Sequence, residues 1–322
     1  MTVNRQPLGI TGLTVSPITF GTSALASLPG TYGYEVSAER ARETLMAILD
    51  SNVNILDTSR NYGFGRAEQR IGAVFAELGG KPGGLILSTK VDRDEKTGRF
   101  DAAQVRRSFE ESLEALGVDR VDVLHLHDPE HARELDEITS SGGAIDELFA
   151  IKDEGLVAAL GVAMGRTDIQ IDIVRSHPWD VVLNHNRFTL LNRGATELFE
   201  YARSKQMAVM NAAPYAGGML AKGSANFDKI NYQEADESDL APVRALERLC
   251  SEHGVPLGAV ALQFSMRNQL VDTTVVGVSK PERVTQTIEW ASADLPDELW
   301  AAIDELPFST EDPEADRVWS GG

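Results

Sequence analysis

The sequence predicts an α/β protein, a (β/α)8 TIM barrel with an N-terminal β-hairpin, and three observations carry that expectation. Short β-rich runs alternate with longer helical patterns along almost the whole chain, each pair separated by a few turn residues. Eight such pairs fit into 322 residues, the arithmetic of a barrel, whereas an open doubly wound sheet would usually need fewer units. No linker, internal repeat or low-complexity segment interrupts the rhythm, so residues 1–322 read as a single barrel domain.

In chain order, RQPLGITGLTVSP (5–17) reads as a hairpin turning at Thr11-Gly12 that would plug the N-terminal end of the barrel. The strand-like runs are 18–21, 54–57, 85–89, 121–126, 157–162, 180–184, 207–210 and 273–276. Between them, segment 37–51 places Ala41, Leu45, Ile48 and Leu49 on one face behind a Ser37 N-cap, with Arg40 where a capping box has an acid. Segment 101–117 has Asp101 as cap, Val105, Phe109, Leu113 and Leu116 as the apolar stripe, and Gly117 as the C-terminal stop. The acidic stretches QEADESD (233–239) and STEDPEADR (309–317) read as solvated loops.

Composition narrows the function. With 30 Lys plus Arg against 49 Asp plus Glu, the formal net charge of −19 repels a phosphate backbone, so a small-molecule substrate is expected rather than nucleic acid. The single Cys250 permits no internal disulfide or thiolate zinc cluster, which fits a reducing cytoplasm. The N-terminus has no apolar export core, and no stretch approaches the roughly 18 apolar residues of a membrane span.

In such a barrel, reactive groups sit where strands end, and three successive strand ends carry them. The second run ends in Asp57 and leads to Tyr62, the third leads to Lys90, and the fourth leads to His127. Taken singly, Lys90 can be a rim lysine, Tyr62 a loop aromatic, Asp57 a helix cap and His127 a hydrogen-bonded histidine. Together they make chemical sense: a phenol shuttles a proton, a neighbouring ammonium lowers the cost of ionising it, Asp57 holds the ammonium, and His127 hydrogen-bonds a substrate oxygen. HLHD also contains an H-x-H pair, His125 and His127, facing one way from a strand; with no third ligand evident, no metal is expected.

The run NILDTSRNYGFGRAEQRIG, then LSTK, then DRVDVLHLHDP, resembles the aldo-keto reductase superfamily, as do the opening RQPLGITGLTVSPITFGTS and the late VVGVSKPERVTQT. The resemblance covers nearly the whole chain and implies the same barrel, a nicotinamide cofactor (NADP or NAD) bound without a Rossmann domain, and a catalytic tetrad at Asp57, Tyr62, Lys90 and His127. It implies cofactor contacts at Gly21 and Thr22 and, in NHNRFTLL (184–191), His185 where a glutamine commonly holds the nicotinamide carboxamide. It puts Ser279, Lys280 and Arg283 at the adenosine phosphate end, with Gln286 and Thr287 near the adenine. Lys280 and Arg283 suit a 2′-phosphate, whereas Gly277, basic in some NADP-preferring members, leaves NAD open.

GVAM (161–164) brings Ala163 into the nicotinamide site in place of the common GVSN, and Ala212 stands where many members place a stacking tyrosine. With these departures the chain resembles the sugar-oxidising branch of the superfamily, the L-fucose, D-threo-aldose and L-galactose dehydrogenases, and a neighbouring pyridoxal dehydrogenase branch. The expected activity is oxidation of a free aldose at its anomeric carbon to a lactone. The alternatives are pyridoxal oxidation, general aldehyde or ketone reduction, and a non-catalytic cofactor-binding regulator, whose mark would be a lost tetrad.

Overall fold

A computed structural model describes residues 4–315. The barrel strands are β1 (Ile18–Gly21), β2 (Ile55–Asp57), β3 (Ile86–Val91), β4 (Val121–His127), β5 (Val157–Met164), β6 (Val181–His185), β7 (Ala208–Ala212) and β8 (Thr273–Gly277). All pair in parallel with their sequence neighbours, and β8 returns to β1 to close the ring. The helices that follow are α1 (Ala38–Leu49), α2 (Arg66–Glu77), α3 (Ala102–Leu116), α4 (Ala144–Asp153), α5 (Thr167–Ser176) and α6 (Thr196–Ser204); α7 (Glu237–Glu252) and α8 (Leu257–Met266) follow β7, and α9 (Pro281–Ala291) and α10 (Asp297–Asp304) follow β8. Each expected run became a strand, with its end moved by two residues at most, because pairing with neighbours rather than composition sets where a strand stops.

The caps explain the helix starts. Ser37 Oγ accepts the Arg40 amide at 3.1 Å, so the cap forms without an acid at that position, and Asp101 accepts the Gln104 amide at 3.0 Å. Gly117 ends α3 at φ 66°, a conformation that favours glycine. The hairpin strands Gln6–Pro7 and Thr14–Val15 close the bottom of the barrel, and Leu8 and Val15 join the interior cluster with Ile55, Ile86, Val123 and Val181. Gly9 fits there because a Cβ would stand 2.7 Å from the Ala208 amide nitrogen.

Two expectations for acidic loops need correction. Asp236 opens α7 with a capping box closed by Asp239, so 236–239 is a helix start whose carboxylates satisfy backbone amides. The segment 309–315 is bound to the barrel: Asp312 and Glu314 both pair with the buried Arg187, and Glu314 is itself buried. Asp316 and Arg317 lie outside the described residues.

Candidate active site

Inward-facing positions along one strand change character with height. Ile55, Ile86 and Val123 belong to the apolar barrel interior; two and four residues further on come Asp57 on β2, Ser88 and Lys90 on β3, and His125 and His127 on β4. Asp57 ends β2, where Oδ2 accepts from Lys90 Nζ at 2.6 Å and Oδ1 accepts from Ser88 Oγ at 2.9 Å. Lys90, 1% exposed, also donates to the Thr58 carbonyl at 2.6 Å and to the Tyr62 hydroxyl oxygen at 3.1 Å, so each of its protons has an acceptor. Gly63, Phe64 and Gly65, all at positive φ, bend the chain straight after Tyr62 into α2. The four residues expected to act together are therefore adjacent.

Their electrostatics differ from expectation in one respect. Burial, and next to it the Asp57 carboxylate, holds the Tyr62 phenol well above its ordinary range, with Tyr32, Asp128 and Asp92 acting in the same direction. The sequence suggested that Lys90 would bring the phenol down. Instead burial, and then the Asp57 carboxylate that is ion-paired to Lys90 at 2.6 Å, hold the phenol up. The phenol is protonated at neutral pH.

His127 stands edge-on to Tyr62, with ring centroids 5.9 Å apart. Its Nδ1 is 2.6 Å from Asp92 Oδ1 and 3.1 Å from Ser59 Oγ, and its Nε2 is 3.6 Å from Asp128 Oδ2. Burial alone would depress the imidazole, but the Asp128 and Asp92 carboxylates outweigh it and raise it above the ordinary value. Asp92 was not singled out in the sequence, although its place two residues beyond Lys90, on the same rim, was a usable signal.

His125 is different. Its ring is fully buried, neither nitrogen has a hydrogen-bond partner among the described residues, and it lies so close to β5 that a Cβ on Gly161 would stand 2.3 Å from Nδ1. Burial, then Lys90 and His127, pushes it well below the usual histidine range, so it is neutral. Among the described residues no group of three or more His, Cys, Asp and Glu side chains could hold a metal ion.

Across the barrel mouth, His185 ends β6 with Nδ1 3.4 Å from Glu314 Oε2 and Nε2 3.9 Å from Asp128 Oδ1. Burial opposes ionisation of Glu314, but His185, Arg187 and Asn186 overcome it and hold the carboxyl well below the usual range. The chain end thus supports the histidine expected to face the nicotinamide, a contact between residues more than a hundred positions apart that local sequence pattern could not reveal.

Between these two sides runs a cleft of about 630 Å³, reached by Asp57, Tyr62, Lys90 and His127. Of the expected cofactor residues, Gly21, Ala163, His185, Gly277, Ser279, Lys280, Arg283 and Thr287 line it. Thr22 and Gln286 do not: Thr22 is buried and donates to the Asp57 carbonyl at 3.0 Å, and the Gln286 side-chain oxygen accepts from the Arg283 guanidinium. Tyr215 and Trp290, packed edge to face at 6.1 Å, also line the cleft and went unnoticed in the sequence.

This cleft fits a nicotinamide dinucleotide. Ala163 and Ala212 keep it open beside the tetrad, a Cβ at Gly277 would meet nothing within 4 Å, and neither Lys280 nor Arg283 is ion-paired among the described residues. The first turn of α9 carries Arg283 and is preceded by Lys280, two cations of the kind that bind phosphate. No helix of the described residues is long and apolar enough to cross a membrane.

A buried Asp, Tyr, Lys and His cluster at the C-terminal mouth of a parallel barrel, opening on a cleft with Lys280 and Arg283 at its far end, fits an NAD(P)-dependent oxidoreductase without a Rossmann domain. The aldo/keto reductase family profile matches residues 17–307, and the chain belongs to that family. It is 30% identical to a D-threo-aldose 1-dehydrogenase from Pseudomonas sp, with 91% of this chain and 94% of the relative covered. It is 30% identical to an L-galactose dehydrogenase from Arabidopsis thaliana, covering 89% and 87%, and 29% identical to a pyridoxal 4-dehydrogenase from Microbacterium luteolum, covering 93% and 96%. The holo form of an aldo-keto reductase from Bacillus halodurans has the same fold, with a TM-score of 0.78 at 22% identity over 98% of this chain and 100% of that one.

Proposed function

We propose that this protein oxidises a free aldose at its anomeric carbon to the lactone with NADP or NAD, Tyr62 exchanging the proton with the substrate oxygen. The observation that carries the sugar reading is the polar lining beside the tetrad. Asn61, Arg93, Glu95 and Asp128 border the cleft where the substrate's remaining hydroxyls would lie, and the buried Asp128 Oδ1 has no hydrogen-bond partner among the described residues. The D-threo-aldose 1-dehydrogenase and L-galactose dehydrogenase relatives support the same reading. A bound nicotinamide takes up the hydride in oxidation and supplies it in reduction.

Within this reading each residue has a task. The Tyr62 phenol donates its proton to the carbonyl oxygen in reduction; in oxidation its phenolate takes the hydroxyl proton, so oxidation requires prior ionisation of the phenol and is favoured by alkaline pH. Lys90 hydrogen-bonds the Tyr62 oxygen, Asp57 fixes Lys90, and His127 holds the reacting oxygen. Lys280 and Arg283 support binding of a 2′-phosphate, and Cys250, a buried free thiol, is compatible with a cytoplasmic setting.

Pyridoxal oxidation is the second reading, favoured by the aromatic wall of Tyr32, Tyr34 and Tyr232 at the cleft mouth, with ring centroids 6.0 Å apart, and by the pyridoxal-oxidising relative. A panel of free aldoses and pyridoxal, each assayed with NAD and with NADP by reduced-cofactor absorbance, separates the two. At least one aldose should be turned over, and its methyl glycoside should not. Turnover of pyridoxal alone, or only reduction of simple aldehydes, would overturn the sugar assignment.

A further inference from the structure

Asp92 lies just past the end of β3 and is 2% exposed. Both oxygens of its carboxylate are engaged: Oδ1 lies 2.6 Å from His127 Nδ1, and Oδ2 accepts from the Ser59 hydroxyl at 2.7 Å and the Asn61 backbone amide at 2.9 Å. Its backbone is clamped to α3, its amide donating to Ser108 Oγ at 3.0 Å and its carbonyl accepting from Gln104 Nε2 at 2.9 Å. Among the described residues, the basic side chain within ion-pairing distance of Asp92 is His127 and no other. A carboxylate buried this thoroughly is stable only against a positive partner and a full set of donors.

We propose that Asp92 is a positioning residue of the reaction, one that fixes His127 with Nδ1–H turned away from the cleft and holds the ring as an imidazolium whose Nε2–H points to the substrate oxygen. This rests on the reading of Tyr62 and His127 as the pair that meets that oxygen. The distinction matters because the sign of the hydrogen bond depends on it. A neutral ring with its proton on Nδ1 offers the substrate only a lone pair, whereas the imidazolium offers a donor. A carbonyl under reduction then meets two donors, the Tyr62 hydroxyl and His127 Nε2. In oxidation the substrate proton passes to the phenolate while His127 keeps its own and stabilises the alkoxide.

The groups facing His127 act in both directions. Asp128 and Asp92 favour its charge; Lys90 opposes it, as does burial, while His125 and Tyr62 present neutral rings and His131 is itself pushed below its usual value by burial. The raised imidazole is consistent with the carboxylates prevailing. Asp92 alone of the two makes a short, linear-capable bond to the ring, which is why the tautomer is assigned to it rather than to Asp128.

The test is long-range 1H–15N NMR of the histidine rings in the full-length, substrate-free enzyme across pH, with His127→Asn identifying the His127 signals. In the wild type, His127 should be imidazolium at neutral pH and, on titration, should retain its proton on Nδ1. In Asp92→Asn its pKa should fall by about one to three units, the usual effect of removing an adjacent opposite charge. A wild-type ring that is neutral at pH 7 or protonated only on Nε2 overturns the proposal, and so does an Asp92→Asn enzyme whose His127 titrates as in the wild type. The wild-type spectra decide by themselves if the variant does not fold. Because no substrate is present, failure of every aldose in the activity panel would overturn the sugar reading and leave this result untouched.

Discussion

The two ends of the barrel are built from the same strands by opposite rules. At the bottom, Leu8 and Val15 of the hairpin meet Ile55, Ile86, Val123 and Val181 in an apolar cluster. At the top, reached by continuing two to four residues along β2, β3 and β4, the interior holds Asp57, Lys90, His125 and His127, all buried. Burying charge is expensive, and at the top opposite charges meet, Lys90 with Asp57 and Arg187 with Asp312 and Glu314, while the Asp92 carboxylate lies against the His127 ring. The contrast sets an apolar end against the end proposed to do the chemistry, and substitutions can be chosen to disturb one while sparing its counterpart.

The largest expected effect is at the top. Tyr62→Phe removes only the transferable proton, so turnover should fall by about 10²- to 10⁴-fold while cofactor affinity and the unfolding midpoint stay close to wild type. Retention of more than roughly a tenth of wild-type turnover would show that Tyr62 is not the proton-transfer group. The reciprocal variant is Leu8→Ala at the bottom, expected to lose about 2–5 kcal/mol in urea unfolding while the folded enzyme keeps its kinetic constants. A kinetic defect in that variant without loss of stability would break the division between the two ends.

A finer test separates the two members of the Asp57–Lys90 pair. Removing the ammonium in Lys90→Met leaves the Asp57 carboxylate facing the phenol, and the alkaline limb of oxidation should move up. Asp57→Asn exposes the phenol to an unneutralised ammonium and should move the same limb down. Shifts in the same direction would show that neutralisation of Lys90 does not explain the raised phenol.

The smallest effect belongs to Glu68 on α2, outside the cleft, whose carboxyl burial pushes up to about 7, opposed by the Thr89 hydroxyl that donates to it at 2.6 Å. A folded pKa above the unfolded one means that its stabilising contribution is complete below about pH 4.3 and is lost as pH rises towards 7. Glu68→Gln should therefore unfold at higher urea than wild type at pH 8, with a smaller difference at pH 5. Equal differences at both pH values would contradict the assignment.

The fold was largely legible in the sequence because strand and helix periodicities, the Ser37 and Asp101 caps and the Gly117 stop are local signals. The tetrad was legible for a related reason: in a parallel barrel, residues just beyond successive strands must converge, so Asp57, Lys90 and His127 could be placed before their contacts were known. What escaped depends on partners distant in sequence. The 309–315 segment looked like a solvated tail by composition, yet Glu314 meets Arg187 from the other side of the chain. Likewise, the direction in which the Tyr62 phenol moves is set first by its burial and then by the facing Asp57 carboxylate, and no spacing rule supplies either.

The central claim is that Tyr62 is a phenol kept protonated by burial and by the facing Asp57 carboxylate, and its most direct test is the pH–rate profile of wild-type oxidation, with a substrate deuterium isotope effect showing that bond breaking limits the rate. The account predicts a rate that is still climbing at about pH 10, the ordinary tyrosine value. A plateau reached near neutral pH, with the isotope effect fully expressed, would contradict it.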